Sequence, residues 1–153
     1  MASDFDKSME EMQASIIEDA RKTHSEKVIQ RWLNPRQLGE IKDPQGYGKA
    51  TDFHGNTMQI FLKIDEDKII DARFLTDGCM DALAAGCMAC ELAIGKTSKE
   101  AFKISQEYII TQLGGLPDES EHCAILASNT LRAALTDYME FRNEHSWRQL
   151  PKK

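Results

Sequence analysis

Three places in the sequence concentrate residues that bind soft or borderline metal ions. They are His54, Cys79, and the adjacent pair His122 and Cys123. Two thiolates and up to two imidazoles form a complete tetrahedral ligand set for zinc, and they also match the ligand count of a two-iron cluster with mixed cysteine and histidine ligation. Spacing alone does not require these residues to meet, because long segments separate them. Scattered core cysteines are therefore the alternative.

Cys79 and Cys123 each fall in the first turn of a predicted helix. Unpaired N–H groups and the helix dipole at that position favour a thiolate over a thiol. A cysteine with a lowered pKa binds metal and accepts sulfur well. The sequence thus predicts two reactive thiols.

The other two cysteines, Cys87 and Cys90, have the C-x-x-C spacing of a redox pair. No glycine or proline follows Gly86 in this segment, so the pair is predicted to lie inside a helix as small buried residues. At ~1.5 Å rise per residue, the two stand roughly 12 and 16 Å along the axis from Cys79, too far to share its metal. A thiol-disulfide enzyme that uses this pair is nevertheless one hypothesis for function.

Other catalytic chemistry finds no support in the sequence. Gly95-Lys96-Thr97 matches the end of a phosphate-binding loop, but Cys90 stands where that motif requires a glycine. His24 has no cluster of ligands at a suitable spacing and is predicted to be an ordinary helix residue. Because no Ser/His/Asp arrangement or catalytic carboxylate pair emerges, we expect a protein that is not an enzyme.

Along the sequence, helices are predicted before and after a central pair of strands. Apolar residues recur at three- and four-residue spacing over residues 8 to about 33, which predicts one N-terminal helix that begins at a capping box of Ser8 and Glu11. Further helices are predicted over residues 79–94, from a capping box at Thr97 and Glu100 to about 105, on to about 113, and from 121 to about 143.

A small antiparallel sheet is predicted between the helices. Alternating apolar residues mark two strands joined by a turn at residues 65–68, and the predicted core positions are Met58, Ile60, Leu62 and Ile64 in the first strand and Ile70, Ala72 and Phe74 in the second. A weaker edge strand is predicted over residues 48–53. The fold class is therefore α+β: a small antiparallel sheet of about three strands covered by helices, with a long N-terminal and a long C-terminal helix.

Composition limits the other classes of protein. A chain of 153 residues is expected to form a single domain over residues 1–153, with a frayed tail at residues 145–153. The formal net charge of −6 argues against nucleic acid and anionic membranes as partners. The longest apolar stretch has nine residues, far short of a membrane span. An acidic start without a signal sequence makes the cytoplasm the expected compartment, where four cysteines are more often free thiols or ligands than disulfides.

The order of short motifs resembles one known family. The runs that carry the resemblance are Asn34-Pro35, His54-Gly55-Asn56-Thr57-Met58, Asp71-Ala72-Arg73-Phe74 before Thr76-Asp77-Gly78-Cys79, Gly95-Lys96-Thr97, and His122-Cys123-Ala124-Ile125-Leu126-Ala127. They are similar to the IscU and NifU N-terminal type of iron-sulfur cluster assembly scaffold, in a single collinear register over residues 34 to 138. The resemblance implies an IscU-like α+β fold.

The resemblance also implies roles for individual residues. Cys79, His122 and Cys123 correspond to three of the family's cluster ligands, and His54 stands at the fourth position. Cys123 would accept sulfur from a cysteine desulfurase, and the four residues would hold a [2Fe-2S] cluster or its iron precursor for transfer to recipient apoproteins, or zinc in the cluster-free protein. The sequence leaves a homo-oligomer open.

Two departures from the family pattern bear on function. The family's C-G-D run stands here as His54-Gly55-Asn56, so two anionic ligands have become neutral, and Asn56 and Asp77 are expected beside the ligands rather than among them. The run at residues 116–120 replaces the L-P-P-V-K run that a dedicated chaperone reads. The alternative to a scaffold is therefore a diverged zinc-binding module of the same fold, with a structural or regulatory role and no cluster assembly.

Overall fold

The computed structural model describes residues 4–144 and, within them, the side chains of residues 4–140. The predicted tail at residues 145–153 lies outside the described residues. The helices are α1 (Asp4–Arg21), α2 (Glu26–Leu33), α3 (Met80–Ala93), α4 (Ser98–Ala101), α5 (Gln106–Gln112) and α6 (Glu121–Glu144), with one 3₁₀ turn (Asp118–Ser120) before α6. The strands are β1 (Gly46–Thr51), β2 (Thr57–Asp65) and β3 (Lys68–Thr76).

The three strands form one antiparallel sheet in the order β1-β2-β3. The sheet, its helical cover and the long C-terminal helix confirm the predicted α+β class. β1 is the weakly predicted edge strand, two residues earlier than expected. The predicted capping box of α4 is present, with Thr97 and Glu100 as its partners, but α4 ends at Ala101 rather than near residue 105.

The N-terminal segment is two helices, so the prediction of one continuous helix over residues 8 to 33 was wrong. The chain leaves helical geometry at residues 22–25. Ser25 begins the second helix by accepting a hydrogen bond from Val28 N–H at 3.2 Å, and its hydroxyl donates to the carbonyl oxygen of Leu113. The predicted capping box at Ser8 was also wrong, because α1 already begins at Asp4.

One face of the sheet forms the core under α3 and α6. The four predicted positions of β2 are buried, as are Ala72 and Phe74 of β3. Ile70 was wrongly predicted to belong to this face: it is 49% exposed, and Ile69 is fully buried in its place. The cause is a register shift between Lys63 and Ile64, where the pairing passes over Ile70 and moves the next inward side chain by one residue.

Two glycines are explained by the structure, one by its backbone conformation and one by a close packing contact. Gly95 takes φ +91° directly after α3, a backbone conformation that L side chains rarely adopt, and it ends the helix as predicted. Gly48 lets β1 lie directly on α6, because a Cβ atom at this position would come within 2.6 Å of the Thr130 carbonyl oxygen. Within residues 4–144 no helix combines the length and apolar character that crossing a membrane requires.

Candidate metal centre

Three segments bring the four predicted ligands to one end of the sheet. His54 lies in the turn of residues 52–56 between β1 and β2, and Cys79 is the N-cap of α3 directly after β3. His122 and Cys123 occupy the first turn of α6. In this antiparallel sheet β1 and β3 both end at the edge where β2 begins, so the strand order places the His54 turn and Cys79 at the same edge. The packing of α6 on β1 adds His122 and Cys123.

Contacts link the four side chains in a row. The imidazole rings of His54 and His122 lie 4.5 Å apart between centroids. His122 Nε2 lies 3.7 Å from Cys123 Sγ. The Cys123 thiol in turn interacts with the Cys79 side chain, which contributes to its shifted pKa. His54 and Cys79 are exposed, whereas Cys123 is buried, with 1% of its surface accessible.

The pKa of the Cys123 thiol is raised to about 12. Burial is the largest cause, and the neighbouring Cys79 and Asp81 act in the same direction. The expectation of a thiolate at this helix start was therefore wrong. The dipole of the first turn favours the anion, but loss of water contact and two adjacent acidic groups outweigh it. At neutral pH this thiol keeps its proton unless a cation compensates the thiolate charge.

Asp52 organises the turn that carries His54. Its Oδ1 accepts hydrogen bonds from the backbone N–H groups of His54 and Asn56, each at 2.9 Å. Its Oδ2 accepts from the Asn56 side-chain amide at 3.3 Å and lies 4.0 Å from His122 Nε2. Burial pushes the pKa of this carboxyl upward, but the hydrogen bonds from Asn56 and His54 together with the His122 ring outweigh burial and lower it.

Asn56 and Asp77 support the site from its sides. The Asn56 amide is occupied by Asp52. Asp77 Oδ1 accepts from Thr57 N–H at 2.7 Å, which ties the end of β3 to the start of β2. Phe53, 84% exposed, packs its ring against both imidazoles, at 4.1 Å from His54 and 6.1 Å from His122 between centroids.

A buried carboxylate lies behind the thiols. Asp81, in the first turn of α3, is 5% exposed and accepts a hydrogen bond from the Ser120 hydroxyl. His24 Nε2 lies 2.9 Å from Asp81 Oδ1, within ion-pair distance, although this oxygen accepts no hydrogen bond of good geometry. This contact holds the connection between α1 and α2 against the first turn of α3. The prediction that His24 is an ordinary helix residue was wrong.

Cys87 and Cys90 take no part in this centre. Both are fully buried in α3. Cys87 Sγ donates to Glu91 Oε2 at 3.1 Å, and Arg31 binds the same carboxylate with two hydrogen bonds of 3.0 and 2.8 Å. Burial and the Glu91 carboxylate raise the pKa of Cys87 to about 12, and burial raises that of Cys90 well above its ordinary value.

Sequence reasoning missed Asp52 and Asp81. Each had a signal. Asp52 stands before a His-Gly turn, where an aspartate side chain often binds backbone N–H groups two residues on. Asp81 is a charged residue at the start of an otherwise apolar helical run. Neither signal indicates that the side chain lies beside a thiol brought from another part of the chain.

The donor set suits zinc or an iron-sulfur cluster, since it offers two thiols and two imidazoles beside a carboxylate. Among the residues whose side chains are described, no three histidine, cysteine, aspartate or glutamate groups already have the mutual spacing of a metal site. A bound ion or cluster would therefore have to draw these side chains inward. Phe53, His54 and Gly55, in the middle of the turn at residues 52–56, are exposed.

Comparison with known proteins gives a consistent result. Residues 23–145 match the model of the family described as NifU-like N terminal domain. The chain is 41% identical over 116 residues to the iron-sulfur cluster assembly scaffold protein IscU 1 of Archaeoglobus fulgidus. The aligned region covers 75% of this chain and 76% of that protein. It is 39% identical over 120 residues to the scaffold protein IscU of Haemophilus influenzae, which covers 75% and 94%.

Solved structures support the fold. A NifU-like N-terminal protein from Brucella abortus superposes with a TM-score of 0.60 at 14% identity, over 76% of this chain and 94% of that one. A SUF-system scaffold protein from Fervidobacterium islandicum gives a TM-score of 0.59 at 22% identity, over 73% and 96%. At these identities the likeness concerns the fold alone.

Proposed function

The chain belongs to the NifU-like N-terminal domain family, and from that premise we propose that it is a scaffold for iron-sulfur cluster assembly rather than an enzyme. Its cargo is a [2Fe-2S] cluster or the iron precursor of one. The observation that carries the proposal is the row His54, His122, Cys123 and Cys79 at one end of the sheet. Its partners are a cysteine desulfurase as sulfur donor and recipient apoproteins.

Cys123 is the proposed sulfur acceptor. In that step its thiolate attacks the outer sulfur of the desulfurase persulfide, a new S–S bond forms on Cys123, and the desulfurase cysteine leaves as a thiolate. His122 Nε2, at 3.7 Å, is the base within reach of the thiol proton. Because Cys123 is 1% exposed, the transfer requires a movement that uncovers its thiol.

The remaining ligands have distinct parts. Cys79 is exposed at the N-cap of α3 and provides the second thiolate. His54 and His122 provide neutral imidazoles, which make the bound cluster less negative than an all-cysteine set and raise its reduction potential. Asn56 offers no carboxylate, and its amide is already bound to Asp52.

Anaerobic reconstitution tests the proposal. The chain is incubated with ferrous iron, a cysteine desulfurase and cysteine, and iron and acid-labile sulfide are measured per chain. We expect near-equal iron and sulfide with visible cluster absorption. Cys79→Ala and Cys123→Ala should each abolish both, whereas Cys87→Ala and Cys90→Ala are matched controls that should retain them.

Two results would contradict the proposal. Retained zinc without sulfide would indicate the diverged zinc-binding module instead. Full cluster content in Cys79→Ala or Cys123→Ala would show that the cluster is held elsewhere. Persulfide on Cys79 and not on Cys123, found by mass spectrometry before iron is added, would reassign the sulfur acceptor while leaving the scaffold role in place.

A further inference from the structure

Asp52 places a buried negative charge at the edge of the centre. Its side chain is 7% exposed, and it stands two residues before His54. The two oxygens have different surroundings. Oδ1 accepts both backbone N–H groups of the turn, whereas Oδ2 has one longer hydrogen bond, from Asn56 at 3.3 Å, and faces His122.

A single oxygen, Oδ1, holds the two backbone N–H groups of the turn. An asparagine at position 52 would offer the same acceptor at Oδ1 to the same two N–H groups. The second oxygen accepts one hydrogen bond from within the turn, from the neutral Asn56 amide at 3.3 Å, and the turn contains no lysine or arginine that would compensate the negative charge. Desolvating a carboxylate costs free energy unless its charge meets donors or a cation.

The distances around His122 fit a shared cation. Two ligands bound to one tetrahedral ion at about 2.0–2.3 Å lie roughly 3.4–3.6 Å from each other. His122 Nε2 is 3.7 Å from Cys123 Sγ and 4.0 Å from Asp52 Oδ2. Both distances from His122 are slightly longer than a ligand separation, and the three groups do not yet have the mutual spacing of a metal site, so a bound ion would have to draw Asp52 and Cys123 toward His122.

We propose that Asp52 Oδ2 is an oxygen ligand for ferrous iron in this centre, together with His122 and Cys123. The carboxylate that the family pattern has at position 56 is thereby moved to position 52 in this chain. Because Asn56 Nδ2 is 3.3 Å from Asp52 Oδ2, the charge is displaced by little more than one atom's diameter. The proposal rests on the proposed function only in taking iron as the physiological metal.

A charge-swap series tests it by anaerobic titration of ferrous iron and, separately, of cadmium. Asp52→Asn keeps the turn's acceptor and removes the charge, so iron affinity should fall about tenfold or more. Cadmium, which prefers thiolates, should lose much less. The double variant Asp52→Asn, Asn56→Asp returns the carboxylate to the neighbouring side chain with the hydrogen bond reversed, and it should recover most of the iron affinity.

Three outcomes would overturn the proposal. Wild-type iron affinity in Asp52→Asn would show that the carboxylate is no ligand, and cluster formation by the same variant would leave the scaffold role intact. Equal losses for iron and cadmium together with a lower melting temperature would show that Asp52 only holds the turn. A wild-type chain that binds cadmium but no ferrous iron would remove both this proposal and the scaffold role.

Discussion

The four cysteines should differ sharply in their reactivity toward alkylation. The thiolate is the reacting species, so the rate follows the thiolate fraction and solvent access. With its pKa raised to about 12, Cys87 has a thiolate fraction of roughly 3 in 100,000 at pH 7.5, against about a tenth for an ordinary cysteine with a pKa near 8.5. The difference is about three thousandfold before the burial of Cys87 is considered.

The assay is a time course with N-ethylmaleimide at pH 7.5, quenched and mapped by mass spectrometry. Cys79, the exposed thiol, should be labelled first, while Cys87 and Cys90 stay unmodified until denaturant is added. The unfolded chain, in which all four thiols react, is the control. A labelling rate for Cys87 within tenfold of the rate for Cys79 would refute the reasoning. It would also favour the hypothesis of a thiol-disulfide enzyme that uses Cys87 and Cys90.

Two further substitutions test the packing beside the centre and the capping of α4. Ser120→Ala removes the hydroxyl that donates to the buried Asp81, whose other oxygen already accepts no hydrogen bond; unfolding should become easier by about 1–3 kcal/mol, seen as a melting temperature several degrees lower by circular dichroism. Glu100→Gln removes the carboxylate whose pKa is lowered by hydrogen bonds from Thr97. A group with a lowered folded-state pKa stabilises the fold above its unfolded pKa and loses that contribution as pH falls through the folded pKa. The difference between wild type and Glu100→Gln in urea unfolding should thus be largest near neutral pH and should shrink as pH falls below the ordinary glutamate pKa of about 4.3. A difference that does not change with pH would contradict the charge-based explanation.

Local sequence patterns predicted the order of the elements because their causes are local. Alternation along β2 and the capping box at Thr97 each depend on residues a few positions apart. The connection after α1 instead contains His24, which contacts Asp81 of α3. The exposure of Ile70 results from the register shift in the pairing of β3 with β2. Contacts between distant segments decide such features, so periodicity alone missed them.

The candidate site was likewise only partly predictable from the sequence. Residue type and family pattern indicated His54, Cys79, His122 and Cys123, and the structure places them in one row. The protonation of Cys123 was predicted wrongly, because helix position is visible in the sequence and burial between α3 and α6 is not. Asp52 escaped notice because only the folded turn directs its second oxygen toward His122.

The close approach of Gly48 to Thr130 fixes where β1 and α6 meet. From Gly48 the chain runs along β1 to Asp52, about 13 Å away at ~3.3 Å per residue. From Thr130 it runs back along α6 to His122, about 12 Å away at ~1.5 Å per residue. Asp52 and His122 thus lie at nearly equal distances from the same contact between strand and helix. A side chain at position 48 would push β1 away from α6, and we expect the separation of Asp52 and His122 to change with it.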